Sequence, residues 1–163
     1  MFRTVELPKG ITGKLFLHGT PGRYEPYTLT EKEILERTIN RVVCLAPMEE
    51  IYKESPKYAR ILEEGKFPCT HERFDIPDYQ VPEDRDGFLK LAHSVATRLR
   101  AGEHILIHCG AGIGRTGTLA ICVLIVLGMS KQRARDTVKK AGSWPERPVQ
   151  DELIQWVAEQ YKE

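Results

Sequence analysis

The chain has 163 residues, of which 41% are hydrophobic and 29% are charged, and its formal net charge is +1. A chain of this length is expected to form one domain, residues 1–163, with a sizeable buried core. The balanced charge disfavours a general nucleic-acid coat protein, and no nucleic-acid partner is expected. Residues 1–6 carry no apolar signal region, and the apolar run 118–129 is shorter than the about 20 residues that span a membrane.

The first half of the chain alternates short β-branched runs with helical patterns. Strands are predicted over residues 11–17, 42–45 and within 67–75. After a turn-rich segment, Thr30 and Glu33 form a capping-box pattern, which predicts a helix running to about Ile39. A second helical region covers 48–64 and is interrupted at Ser55-Pro56, because proline can begin a helix but cannot continue one.

The second half begins with an amphipathic helix over residues 84–100. A buried strand starts at Ile105 and leads through a glycine-rich turn into the apolar run 118–129, which is typical of a helix buried on all sides. Two further helices are predicted, one capped by Ser130 and ending near Gly142, and the last running from about Gln150 to Tyr161.

This alternation of strands and helices predicts an α/β fold, with a mainly parallel central sheet that helices cover on both faces. In such sheets, ligands bind beyond the carboxyl ends of the strands. The glycine-rich turn follows a carboxyl end, so we expect the functional site there.

That turn combines a cysteine, small residues and an arginine, in the order Cys109-Gly110-Ala111-Gly112-Ile113-Gly114-Arg115. Its backbone N–H groups are expected to face one concavity at the positive end of the next helix, which is an arrangement that binds anions. Arg115 can grip two oxygens of one phosphate. Because the same groups favour thiolate over thiol, the turn is predicted to bind a phosphate and to present Cys109 to it as a nucleophile. The alternative is a structural turn around a buried cysteine; a Walker loop fits worse, since Arg115 follows Gly114 where lysine is needed.

The run from His108 to Thr116 resembles the signature of the cysteine-dependent protein tyrosine phosphatase superfamily. Residues 111–117 are similar to the version in tyrosine-specific members, whereas the length and layout resemble the compact archaeal and bacterial dual-specificity-type enzymes. The resemblance covers most of the chain from about residue 40, and it implies a tyrosine-phosphatase-like fold. The first forty residues carry no motif that we can place.

The second chemical group is an acid on the loop that follows the third predicted strand. Transfer of a phosphoryl group to Cys109 requires a proton for the leaving oxygen, which a carboxylic acid on a closing loop can supply. The stretch from Ile76 to Pro82 resembles the general-acid loop of the small phosphatases, and this assigns the acid to Asp78. Asp75 and then Asp84 are the rival carboxylates, and the alternative for Asp78 is an exposed turn former beside proline.

Three further side chains have expected roles. The mechanism assigns Thr116 to donate to the Cys109 sulfur and His108 to fix the loop by hydrogen bonding its backbone; the alternative for His108 is a satisfied core histidine, and the two are compatible. Gln150 resembles the family glutamine that positions the hydrolytic water. The second family glutamine is not carried over, because Ile154 stands at its position with Gln155 beside it.

The remaining cysteines are expected to serve packing. Cys44 resembles a neighbouring cysteine that pairs with the oxidised nucleophile in some family members, but a small buried residue is the favoured interpretation. Neither a metal nor another cofactor is expected, because the four cysteines, at 44, 69, 109 and 122, lack the spacing of a metal site or a disulfide framework. A reducing, cytoplasmic setting is therefore the default expectation.

The sequence thus predicts a monomeric protein phosphatase that acts on phosphotyrosine, and in a dual-specificity version also on phosphoserine and phosphothreonine, through a cysteinyl-phosphate intermediate. Its partners would be phosphorylated proteins. The alternatives are a phosphatase of phosphoinositides or RNA 5′ ends, a non-catalytic phosphoprotein-binding pseudophosphatase, and a sulfurtransferase. The phosphoinositide alternative is disfavoured because residues 110–114 include no lysine.

Overall fold

The structure is a computed structural model and describes residues 1–161. Within this range the sheet has five strands: β1 (Arg3–Val5), β2 (Lys14–His18), β3 (Arg41–Cys44), β4 (Thr70–Arg73) and β5 (His104–His108). The helices of the same range are α1 (Tyr27–Glu36), α2 (Met48–Glu54), α3 (Pro56–Glu63), α4 (Arg85–Arg100), α5 (Gly114–Val126), α6 (Lys131–Lys140) and α7 (Pro148–Glu159).

The strands lie in the order β1-β2-β5-β3-β4, so β5 occupies the middle of the sheet. All neighbours pair in parallel except β1, which runs antiparallel to β2. A central parallel strand is covered on both faces, and this explains why residues 105–107 are apolar without interruption and fully buried. The predicted α/β fold with a mainly parallel sheet is therefore confirmed.

Side chains along β5 alternate between two packed layers. Ile105 and Ile107 join the larger core, which contains apolar side chains of α4, α5, α6 and α7. Leu106 points to the other layer, where it packs with Ile34 of α1. The helix α5 is buried along its whole length, which accounts for its nearly continuous apolar sequence. Among the described residues, no helix combines the length and the apolarity that crossing a membrane requires.

Two details near the N-terminus differ from the sequence prediction. The edge strand β1 was not predicted, since three residues are too few to display a pattern. The capping box at Thr30 and Glu33 was also wrong, because α1 begins at Tyr27 and both residues lie inside it. Their side chains bond to other partners: the Thr30 hydroxyl donates to Glu25, and the Glu33 carboxylate accepts from the backbone N–H of Phe2.

A buried polar network lies under the carboxyl end of β5. The hydroxyl of Tyr58 in α3 bridges Nε2 of His71 at 2.6 Å and Nε2 of His108 at 2.8 Å. Burial lowers the pKa of His71 to about 4 and that of His108 to about 3, so both rings are neutral at pH 7. A consistent arrangement has His71 donating to the Tyr58 oxygen, the Tyr58 hydroxyl donating to His108, and Nδ1 of His108 donating to the carbonyl of Cys109 at 3.1 Å.

This network predicts a pH dependence of stability. Unfolded histidine binds a proton near pH ~6.5, whereas folded His71 resists protonation down to about pH 4. The stabilisation is thus complete above pH ~6.5 and is lost as the pH falls toward 4, because the unfolded state then binds more protons. When the pH falls from 7 to 5, the free energy of unfolding should decrease less in His71→Gln than in the wild type. The two decreases should differ by about 1–2 kcal/mol.

Urea unfolding at the two pH values measures this difference. The matched control is His93→Gln, which changes an exposed histidine on α4 outside the Tyr58 network. An unchanged pH dependence in His71→Gln would show that the His71 ring is already protonated in the folded protein at pH 5.

Candidate active site

The loop between β5 and α5 forms a cup whose backbone donors are free. The N–H groups of residues 110–113 have no acceptor within residues 1–161. Gly112 has a φ of +78°, and a Cβ there would lie 2.5 Å from the His18 carbonyl carbon, so the loop requires glycine at this point. Cys109 lies at the base and is only 2% exposed. Unpaired N–H groups at the N-terminus of a helix, beside a thiol, make a site for an anion.

Arg115 lies in the first turn of α5, beside the cysteine loop, and it is only 2% exposed. Its Nη1 donates to the carbonyl of Ile76 at 2.8 Å, and Nη2 lies 3.0 Å from a Glu50 oxygen and 3.1 Å from an Asp78 oxygen. Its Nε has no partner among the described residues. Burial alone would lower the pKa of Arg115, but Cys109, Glu50 and Asp78 together raise it. The guanidinium is therefore a permanent cation with donor capacity left for a ligand.

Glu50 is a residue of the site that the sequence analysis missed. It lies in the first turn of α2, the helix that follows β3, and β3 is a neighbour of β5 in the sheet. Burial raises the pKa of Glu50, and the pairing with Arg115 works in the opposite direction. The one available signal was topological: an acidic residue just beyond the carboxyl end of a strand adjacent to the central strand.

Two of the expected contacts around Cys109 are present. The Thr116 hydroxyl donates to the Cys109 sulfur at 3.0 Å, and both groups are buried. His108 is fully buried and reaches the Cys109 carbonyl, so it holds the loop backbone from the side of the polar network. The sulfur thus sits next to a hydroxyl donor and beneath the cup.

Of the three candidate carboxylates, the structure brings Asp78 to the loop. Its oxygen contacts Arg115, while its side chain stays 53% exposed and therefore accessible to a substrate. Asp75 instead pairs with Arg73 at 2.7 Å, and Asp84 accepts from the N–H of Gly87 as the N-cap of α4. The geometry favours Asp78 over both rivals.

The backbone after Asp78 takes a glycine-like conformation. Tyr79 has a φ of +62°, a region that non-glycine residues enter rarely. The guanidinium of Arg147 lies over its ring, 4.6 Å from the centroid. This stacking helps to hold the Tyr79 backbone in that conformation.

Gln150 is buried at the start of α7 and faces the acid loop. Its side-chain oxygen accepts from the N–H of Glu146 at 2.7 Å, and its amide nitrogen donates to the carbonyl of Gln80 at 3.3 Å. Gln155, by contrast, donates to Glu159 on an exposed face of the same helix. The structure therefore brings Gln150, and not Gln155, to the candidate site.

Cys44 packs in a different cluster from Cys109. It lies among Ile51 and Tyr58 on the α3 side of the sheet, whereas Cys109 belongs to the larger core on the other side. Burial raises the pKa of Cys44 to about 12, so it is a thiol at neutral pH. These observations favour the interpretation of Cys44 as a core residue.

One group of potential metal ligands lies on the α3 side of the sheet. The ligand atoms of Cys44, His71 and His108 lie within 4.8 Å of one another. However, the Tyr58 hydroxyl already bonds both imidazole Nε2 atoms, and a metal would need the thiolate that burial of Cys44 disfavours. The donor set is better explained as a structural network than as a metal centre.

Comparison with known proteins places this geometry in a family. The family model described as "Swiss Army Knife protein, DSP-PTPase phosphatase domain" matches residues 25–155. Mouse tyrosine-protein phosphatase non-receptor type 13 is 41% identical over 56 residues, which is 34% of this chain but only 2% of that much longer protein.

Solved structures agree in fold at low sequence identity. Kinase associated phosphatase, with its catalytic-site cysteine changed to serine, has a TM-score of 0.83 at 17% identity, covering 99% of this chain and 95% of that one. Tk-PTP in its active form has a TM-score of 0.70 at 24% identity, covering 92% and 95%. Because the family match spans most of the sequence and the fold agrees with it, the chain belongs to the DSP-PTPase phosphatase domains of the Swiss Army Knife type, within the cysteine-dependent phosphatases of dual-specificity type.

Proposed function

We propose that this protein hydrolyses phosphotyrosine in phosphorylated proteins, with phosphoserine and phosphothreonine as further substrates, through a cysteinyl-phosphate intermediate. The observation that carries the proposal is the hydrogen-bonded Cys109 sulfur at the base of a cup of free N–H groups, with Arg115 beside it. A thiolate is a strong nucleophile, and the donors match the equatorial oxygens of a phosphoryl group in transfer.

In the first step, the Cys109 thiolate attacks phosphorus, an S–P bond forms, and the P–O bond to the substrate breaks. Asp78, in its acid form, gives its proton to the departing oxygen. Arg115 and the loop N–H groups hold the three remaining oxygens. The phosphate replaces the Asp78 contact on Nη2, and this frees the carboxyl group to face the leaving oxygen.

In the second step, water attacks the cysteinyl phosphate, the S–P bond breaks and inorganic phosphate leaves. The Asp78 carboxylate takes the proton of that water and is ready for the next cycle. Gln150 lies against the acid loop and is the residue that we assign to placing the water. The Thr116 hydroxyl donates to the sulfur and stabilises the thiolate as it departs.

Features at the rim of the loop support an aryl phosphate as substrate. Tyr24 and Tyr79 are exposed aromatic residues, one beside Gly19 next to the loop and one directly after Asp78. Aromatic rings at the mouth suit stacking on a phenyl group. Residues 110–114 offer no lysine for the additional phosphates of an inositol lipid.

The four cysteines are free thiols and form no disulfide. This suits a reducing, cytoplasmic setting, in which a thiolate nucleophile is not oxidised.

The nucleophile is tested by replacing the sulfur. Cys109→Ser should abolish hydrolysis of p-nitrophenyl phosphate, because a serine hydroxyl is not ionised at neutral pH. The variant should still bind phosphate largely as the wild type does. Arg115→Lys should also be nearly inactive, since an ammonium group cannot reproduce the planar fork. Cys69→Ser, on the far edge of the sheet, is the matched control and should retain activity. Substantial hydrolysis by Cys109→Ser would refute the proposal.

The acid is tested by the pH dependence of the rate. Asp78→Asn should flatten the falling limb of the profile and slow hydrolysis of phosphotyrosine by ~10²–10⁴-fold, which is the usual range of acid catalysis. The loss should shrink for an activated aryl phosphate whose phenolate departs unaided. Asp75→Asn serves as the control and should keep the falling limb. The opposite pattern in the two variants would transfer the acid role to Asp75 and leave the cysteine mechanism standing.

The substrate class is tested with matched phosphopeptides. One peptide sequence carrying phosphotyrosine, phosphoserine or phosphothreonine should be hydrolysed fastest as the phosphotyrosine form, because the aromatic rim favours a phenyl group. A phosphoinositide and a 5′-phosphorylated RNA complete the panel. Preference for either of these would replace the proposed substrate class, and tight binding of the phosphopeptides without turnover would identify a pseudophosphatase.

A further inference from the structure

The cysteine loop is held from outside by an arginine at the other end of the chain. Arg3 belongs to the edge strand β1, yet its Nη2 donates to the carbonyl of Gly112 at 2.6 Å across 109 positions of sequence. Its Nη1 donates to the carbonyl of Ala141 at 3.0 Å and to the hydroxyl oxygen of Ser143 at 2.9 Å. Nothing in the proposed reaction uses this side chain.

The same carbonyl receives a second donor. The hydroxyl of Ser143, which is fully buried, donates to the Gly112 oxygen at 2.6 Å. Arg3 and Ser143 are also bonded to each other, so the three groups form a closed triangle behind the loop. A buried carbonyl with two short bonds, one of them charge-assisted, is strongly fixed in direction.

Fixing this carbonyl also fixes the next N–H group. The peptide between Gly112 and Ile113 is planar and trans, so its C=O and N–H point in opposite directions. The carbonyl points to Arg3 and Ser143, and the Ile113 N–H points away from them without an acceptor among residues 1–161. Gly112 is the loop residue with positive φ and no side chain, so this peptide has the least local resistance to rotation.

We propose that Arg3 is a positioning residue, which together with Ser143 locks the 112–113 peptide with its N–H available to the phosphate. This inference rests on the proposed function, because it assumes that the loop binds a phosphate. Without the lock, a rotated peptide would present a carbonyl oxygen to the anion and remove one donor. The Arg3 charge also acts on the site: burial lowers the pKa of Arg3, and the nearby Cys109 counteracts this effect.

A purely structural role for Arg3 makes a different prediction. Its bonds to Ala141 and Ser143 attach β1 to the turn after α6, so any substitution lowers stability. If anchoring were the whole role, folded variants would bind oxyanions as the wild type does. The decisive quantity is therefore the affinity for an oxyanion, measured on protein shown to be folded.

The experiment measures the inhibition constants of inorganic phosphate and orthovanadate against p-nitrophenyl phosphate hydrolysis, with circular dichroism and urea unfolding on the same samples. Arg3→Met should raise both inhibition constants and lower kcat/KM by about 10- to 100-fold, as expected for a hydrogen bond to a charged group. The matched control is Arg37→Met, which removes an arginine bonded to Glu33 at 2.6 Å near the same sheet edge. It should lower stability without changing either inhibition constant.

Ser143→Ala keeps the test decisive if Arg3→Met does not fold. It removes the other donor to the same oxygen and should also weaken both inhibitors, and the double variant should lose less than the two single losses combined, because both act on one peptide. Folded variants with wild-type inhibition constants would overturn the inference alone. Failure of the wild type to bind phosphate or hydrolyse the substrate would instead overturn the proposed function, and this inference with it.

Discussion

The unpaired donors of the cysteine loop impose the constraint on which the rest of this structure depends. A buried donor without an acceptor costs about 1–3 kcal/mol, and Arg115 Nε is such a donor among the described residues. The N–H groups of residues 110–113 also have no acceptor within residues 1–161. A chain left to itself would turn these groups toward carbonyl oxygens. They stay free because the surrounding elements fix the loop more strongly than local hydrogen bonding would rearrange it.

The fixation comes from the core on one side and from single polar contacts on the other. Strand β5 is buried between two parallel neighbours, and α5 is buried along its length, so both ends of the loop are anchored in the core. Tyr58 and His108 reach its start, and Arg3 with Ser143 reaches its middle. The proposed anion binding thus depends on the whole sheet as much as on the loop sequence.

The sequence was sufficient where the determining pattern is local. Apolar runs and helical spacing identified β2 to β5 and the helices other than α1 within a few residues at their ends, and the Cys109 to Arg115 run identified the loop. What could not be predicted depends on long-range contacts. Glu50 becomes part of the site because α2 begins beside Arg115, and Arg3 because β1 folds back against β2. The Thr30 and Glu33 pattern failed because other partners take those side chains: Glu25, five residues away, accepts from Thr30, and the N–H of Phe2 donates to Glu33.

The contacts between α7 and the acid loop have a consequence for the order of events in the proposed reaction. Gln150 is bonded to the Gln80 carbonyl, and Arg147 is stacked on Tyr79, so the loop that carries Asp78 rests on the start of α7. Movement of this loop away from Cys109 would separate the proton-donating carboxyl group from the amide that places the water. Both proposed steps therefore depend on the position of the loop that carries Asp78. In the proposed reaction, a cysteinyl phosphate whose loop has opened would keep Gln150 in place on α7 but lose the Asp78 base, so it would stay covalently stored until the loop returns.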